Sequence, residues 1–159
     1  MDELLQLLKQ NALESPANLA KMLGMSEEEV TARIERYEAN GVIRGYQAVV
    51  NEDQLDLDLV QAVIEVKITP EREGGFDRIA ERVGKFDNVE SLFLMSGAYD
   101  LLVFVKGNSL QEVAAFVNEK LATMDGVLST VTHFMLKTYK SHGVLMHAAR
   151  TDERLKVTP

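Results

Sequence analysis

Residues 26–44, SEEEVTARIERYEANGVIR, read as a capped amphipathic helix, a glycine stop and the start of a β-hairpin. Ser26 can accept from the amide of Glu29 while the Glu29 carboxylate reaches back to the amide of Ser26, the reciprocal arrangement of a capping box. Val30, Ile34 and Tyr37 recur at i, i+4 and i+7, which sets them on one side of the helix. Gly41 stands where a left-handed stop is needed. Upstream, Ser15 and Pro16 begin a shorter helix with Leu19, Ala20, Met22 and Leu23 as its apolar side, and Gly24 ends it. Residues 3–10 make a first helix through Leu4, Leu5, Leu7 and Leu8. Residues 42–51 read as two short strands turning near Gly45. Two helices around a tight turn at residues 23–26, followed by a hairpin, match a winged helix-turn-helix. The second helix of that arrangement is shaped to enter a DNA major groove.

Beyond residue 50 the pattern changes. EDQLDLDL is acidic and follows neither the helical nor the strand period, so residues 51–58 are expected to be a linker. Val60, Ala62, Ile64, Val66 and Ile68 alternate with polar residues, a half-buried strand that Pro70 ends. Phe76, Ile79, Ala80, Val83 and Phe86 follow helical spacing. Residues 90–96 and 99–106 are apolar strands separated only by Gly97 and its neighbour, which predicts a hairpin. Leu110, Val113, Ala114, Val117, Leu121 and Met124 mark another helix, Asp125-Gly126 a turn, and residues 127–139 a long β-branched strand. The order β-α-β-β-α-β is the ferredoxin-like split unit. The expected class is therefore α+β, with a DNA-binding domain over residues 1–50, a linker over 51–58 and a ferredoxin-like domain over 59–147. Residues 148–159 form a tail, whose RTDERLKVTP has no period and is expected to fray or to act as an arm on a neighbouring subunit. Two helices cover only one face of a four-stranded sheet. Val131, His133 and Met135 point one way in the last strand and Phe134 and Leu136 the other, so the uncovered face is apolar too. Such a face needs cover, and a homodimer with closed symmetry is the simplest way to supply it.

Composition narrows the function. The chain of 159 residues has no cysteine, which excludes disulfides, thiolate metal sites and cysteine nucleophiles and fits a reducing cytoplasm. No apolar run is long enough to span a membrane, and the acidic, amphipathic start does not resemble a secretory signal. The net charge is −8, and the first fifty residues hold five cationic side chains against eight carboxylates. That opposes non-specific DNA affinity, which comes from Lys and Arg on phosphates. His133 lies within a strand, and the spacing of His142 and His147 does not match a zinc helix. Gly74-Gly75 stands alone and makes no phosphate loop. No Ser-His-Asp grouping can be assigned, so no catalytic residue, metal or cofactor is expected.

The two halves together resemble the Lrp/AsnC (feast/famine) family of transcriptional regulators. The resemblance rests on LAKMLGMSEEEVTARIERYEANGVIRGYQAVVN, on the Gly-x-Tyr-Asp turn at Gly97, Tyr99 and Asp100, on Gly126, Val127, Thr130 and Thr132 leading into the last strand, and on Lys137. It covers residues 2 to about 147. It implies a cytoplasmic regulator of amino-acid metabolism that binds double-stranded DNA, takes a small amino acid at contacts between second domains, and assembles as dimers up to octamers. Carried over by position, Ser26, Arg33, Arg36 and Arg44 would face DNA, with Glu28, Thr31 and Ala32 on the helix side away from the core. Gly97, Ala98, Tyr99, Asp100, Thr130 and Thr132 would face the effector, with Asp100 as the acceptor for its ammonium group. Two departures stand out. Ala98 replaces a residue that is often polar, and Glu27-Glu28-Glu29 occupies a turn that is usually neutral or basic. A plainer reading makes Glu29–Arg33 a solvated i,i+4 pair and Gly97 a hairpin requirement. On that reading the chain is an oligomeric amino-acid sensor or interaction protein with weak or no DNA binding.

Overall fold

The computed structural model describes residues 2–55, 57–69 and 75–147. Pro70, Gly74 and the tail over residues 148–159 lie outside them. The chain divides into two compact units, residues 1–50 and residues 51–159.

The first unit holds helices α1 (Glu3–Gln10), α2 (Pro16–Leu23) and α3 (Glu27–Ala39). Each begins on a side chain that accepts an otherwise unpaired amide: Asp2 from Leu4, Ser15 from Asn18 and Ser26 from Glu29. Both bonds of the Ser26–Glu29 capping box are present. Gly24 takes φ 65° at the end of α2 and so permits the sharp turn into α3. Leu4, Leu8, Leu19, Ala20 and Val30 form the core, with Ile34, Tyr37 and Ile43 packed against it. Burying each large aliphatic side chain stabilises the unit by about 1.5–3 kcal/mol. The expected wing does not form. Val42 and Ile43 both donate to the carbonyl of Tyr37 and wrap around the helix end, and residues 44–50 are exposed and belong to no strand. A lone two-stranded hairpin is marginal in water, and among the described residues no strand pairs with this segment.

In the second unit, β1 (Val60–Ile68), β2 (Val89–Leu94), β3 (Leu101–Gly107) and β4 (Val127–Phe134) form an antiparallel sheet in the order β2-β3-β1-β4. Helices α4 (Gly75–Val83) and α5 (Leu110–Phe116) cover one face, α5 running on into a π-helical turn at Val117–Leu121. Ala62, Ile64, Val66 and Ile68 of β1 and Leu101, Val103 and Val105 of β3 meet Ile79, Val83, Val113, Phe116 and Leu121 in the core. At the start of β4, Gly126 has φ 91°, and a Cβ there would lie 2.8 Å from Ile79 Cδ1.

Three boundaries differ from expectation. The β2–β3 turn takes six residues, 95–100, because Asp100 is drawn onto β1 before β3 begins. The last strand stops at Phe134, where its partner β1 runs out; Ala62 pairs with Phe134, and Met135 makes one more bond to Gln61. A small hairpin of β5 (Lys140–Ser141) and β6 (Val144–Leu145) follows, turning through His142 at φ 47° and Gly143 at φ 86°. Nor is the start of the expected linker free chain. Glu52–Gln54 forms a 3-10 turn, Asn51 donates to the carbonyl of Met146, and Glu52 accepts from Gln61 at 2.7 Å.

Candidate nucleic-acid interface and ligand site

Helix α3 turns Val30, Ile34 and Tyr37 toward the core, which leaves Glu28, Ala32 and Glu35 on the opposite side. Ser26, Glu27, Glu28, Thr31, Ala32 and Glu35 line a shallow groove along this outer face. Several of their polar groups are already engaged. The Ser26 hydroxyl accepts from the amide of Glu29 and donates to its carboxylate. The Thr31 hydroxyl donates to the carbonyl of Glu27 at 2.9 Å. Glu29 serves the cap, so the expected Glu29–Arg33 pair is replaced by Arg33 with Asp2 at 3.6 Å. Arg36 lies with its guanidinium 6.0 Å from the centre of the Tyr37 ring, near the outer limit of a cation–π contact. Arg44 is exposed and folds back toward Gly41.

Asp2 anchors the flank of this face. It accepts from the Tyr37 hydroxyl, from the amide of Leu4 and from Arg33. The Tyr37 hydrogen bond above all, then the Leu4 amide, holds its carboxyl below the ordinary aspartate value, and the same bond raises Tyr37 above the ordinary phenol value. Sequence reading missed this cluster because Asp2 and Tyr37 are 35 positions apart, beyond any periodicity. Tyr46 donates to Glu38 at 2.8 Å and ties the exposed segment after α3 back to its helix; desolvation, then this bond, raises its pKa.

The expected ligand-facing residues fall in two places. Gly97 has φ 141° and an open side, Ala98 is exposed, and Tyr99 and Asp100 are half-buried. Asp100 knots the end of the sheet: its amide donates to Val66, its carbonyl accepts from Met95, and one carboxylate oxygen accepts from Ile68 at 2.7 Å. Among the described residues the other oxygen accepts no hydrogen bond. Thr130 and Thr132 pair with Val66 and Ile64 and so share the helix-side face of β4. Val66 also pairs with Leu101, which puts Thr130 two strands away from the Asp100 turn, about 10 Å at ordinary strand spacing. One copy therefore does not draw the two groups to a point.

The uncovered sheet face carries Val63, Phe93, Leu102, Phe104 and Val131, with Phe93 and Phe104 edge to face at 6.0 Å. Among these apolar residues His133 meets Glu65 at 3.2 Å. Among the described residues no three His, Asp or Glu side chains are grouped to hold a metal, and no helix is long and apolar enough to cross a membrane.

Comparison with known proteins bears on both units. The AsnC-type helix-turn-helix domain matches residues 3–38, and the Lrp/AsnC ligand binding domain matches residues 61–145. The HTH-type transcriptional regulator YugG of Bacillus subtilis is 44% identical over 158 residues, covering 99% of this chain and 95% of that protein. The proline dehydrogenase transcriptional activator of Rhizobium radiobacter is 28% identical, over 89% of this chain and 90% of that one. A transcriptional regulator from Neisseria meningitidis, solved as its L-Met complex, superposes with a TM-score of 0.69 at 26% identity, over 89% of this chain and 93% of that one.

Proposed function

Because the chain belongs to the Lrp/AsnC family of transcriptional regulators, we propose that it is a cytoplasmic, non-enzymatic regulator in which residues 1–50 bind double-stranded operator DNA and residues 59–147 bind a small amino acid. Arg33, Arg36 and Arg44 reach phosphates from the flank of α3, and Ser26, Glu28, Thr31 and Ala32 approach the groove. The turn Gly97-Ala98-Tyr99-Asp100 and the hydroxyls of Thr130 and Thr132 hold the α-amino and α-carboxylate groups. In this reading turn amides and threonine hydroxyls serve the carboxylate, and the Asp100 oxygen that does not accept from Ile68 serves the ammonium. Since the two groups of residues stand two strands apart in one copy, the ligand is held where copies meet. Dimers form through the uncovered sheet face and assemble further, up to an octamer.

The observation that carries this reading is the two-domain match: a helix-turn-helix family over the first unit and a ligand-binding family over the second. Linkage supplies the mechanism. An amino acid that favours one assembly fixes the spacing of the α3 helices and thereby the DNA affinity. Half-sites then lie about one DNA turn apart or a multiple of it. Retardation of a duplex from the chain's own upstream region, at several salt concentrations and with amino acids added, tests it. Binding is expected to respond to at least one amino acid, and Arg36→Ala should weaken it for every sequence and lower the salt slope by about 1. Unchanged affinity and slope would remove Arg36 from the interface.

A second reading is favoured by the acidic outer face of α3 and the net charge of −8: an oligomeric amino-acid sensor with weak or no DNA binding. Absence of a shift at tens of micromolar protein and low salt, with amino-acid binding retained in calorimetry, would select it.

A further inference from the structure

We infer that Glu28 determines sequence specificity by selecting a cytosine in each half-site. The inference rests on the DNA-binding reading above. The site is the helix-turn-helix itself, and the question is what its outer face can recognise.

The groups free to meet a base on that face are few. Ser26 is committed to its capping box with Glu29, and Thr31 to the carbonyl of Glu27. Arg33 is paired with Asp2. Arg36 leans on Tyr37, on the flank of the helix and away from the centre of the outer face. The carboxylates of Glu27, Glu28 and Glu35 have no hydrogen-bonding or ionic partner among the described residues. Of these, Glu27 lies near the flank, and Glu35 lies two turns further along the helix. Glu28 alone is both opposite the buried Val30, Ile34 and Tyr37 and in the first turn, the part of such a helix that approaches base edges.

A carboxylate in the major groove meets four different edges. Guanine presents two acceptors and thymine an acceptor and a methyl group, so both repel it or leave it unpaired. Adenine offers an amino donor beside the N7 acceptor, which a carboxylate without a proton cannot satisfy. Cytosine offers the N4 amino group with no such neighbouring acceptor on its own ring, and it is the base that a carboxylate satisfies. Ala32, one turn along on the same side, adds a methyl group suited to the thymine methyl. Side chains at i and i+4 are about 5–6 Å apart, so a thymine is expected one or two base steps from the cytosine.

Selection from randomised duplexes, followed by affinity measurement on single-base variants at fixed salt, tests this with the full-length protein, E28Q and E28A. Glu28 is exposed and its carboxylate has no partner among the described residues, and equal thermal melts of the three proteins would verify their folding. The wild type should enrich one cytosine per half-site, and replacing that C·G pair should lower affinity about tenfold. E28Q should shift that position toward adenine, whose N6 and N7 a carboxamide can pair together. E28A should lose preference there while keeping the rest of the selected sequence. A selected sequence without cytosine, or one whose cytosine persists in E28A, overturns the inference while DNA binding stands. Failure of the wild type to enrich any sequence overturns the DNA-binding reading and this inference with it.

Discussion

The side chain with the widest reach in the first unit is Asp2. It caps α1 through Leu4, receives the hydroxyl of Tyr37 from α3 and holds Arg33. Its carboxyl titrates below the ordinary value of 3.8. Because the folded value is the depressed one, the stability it contributes is complete above the unfolded value and is lost as pH falls through the folded value. Amide exchange at Leu19 and Val30 should therefore accelerate as pH drops below about 4, once corrected for intrinsic exchange rates, and Asp2→Ala should remove that step. At neutral pH the same variant should destabilise the helical unit by about 1 kcal/mol, the ordinary loss for a cap. An identical acid response in Asp2→Ala would show that other carboxylates govern it. Little of this was legible in the sequence. Asp2 is recognisable as a cap from its place before an apolar helix, but its partner is set by how α1 lies against α3. The same holds for Arg33, whose i−4 neighbour on the helix, Glu29, is occupied by Ser26.

At the level of elements, positions with a local cause could be read and positions with a distant cause could not. Ser15-Pro16, Ser26 with Glu29, and Gly24 mark the helix ends because caps and left-handed stops are decided within four residues. Alternation in β1 and the apolar faces of α4 and α5 set the β-α-β-β-α-β order for the same reason. The wing, the β2–β3 turn and the end of β4 depend instead on a partner: the first finds none, the second is stretched by the bond from Ile68 to Asp100, and the third ends where β1 ends. The β5–β6 hairpin did have a local signal, His142-Gly143, with positive φ at both turn positions. The two halves of the proposed ligand site could each be named from motifs, but their separation follows from sheet order, which no motif states. Gly126 allows a test of how tightly one turn is constrained. Its φ of 91° disfavours any side chain, and the buried Ile79 blocks a methyl group at 2.8 Å. Gly126→Ala should lower stability by about 1–3 kcal/mol, read as a fall in urea midpoint at constant slope. Ile79→Val should return only the part of that loss due to the clash, because the backbone strain remains. Full recovery in the double variant would assign the whole effect to packing.

For the molecule as a whole, the decisive feature is a sheet with helices on one side only. The other side leaves Phe93 51% and Val131 50% exposed beside Leu102, Phe104 and Val63, with Glu65 and His133 paired among them. Water is a poor neighbour for such a surface, and a second copy of the same surface is a good one. Dimerisation through this face also serves the DNA-binding reading. A single acidic α3 attracts phosphates weakly, whereas two linked heads can gain roughly 10²–10⁴ in avidity. Val131→Asp places a charge on the β4 edge of the face without entering the helix-side core. Light scattering at micromolar concentration should then change from dimer or larger to monomer, with the thermal melt of the isolated variant serving to confirm that it folds. Operator affinity should fall roughly 10²-fold or more, and the response to an added amino acid should disappear along with it, because reciprocal linkage requires an assembly for the ligand to act upon. A monomer that still binds DNA with wild-type affinity would show that the heads act independently. A variant that remains fully assembled would move the contact to another surface, the first candidate being the exposed apolar run of Leu136, Tyr139 and Leu145 beyond β4.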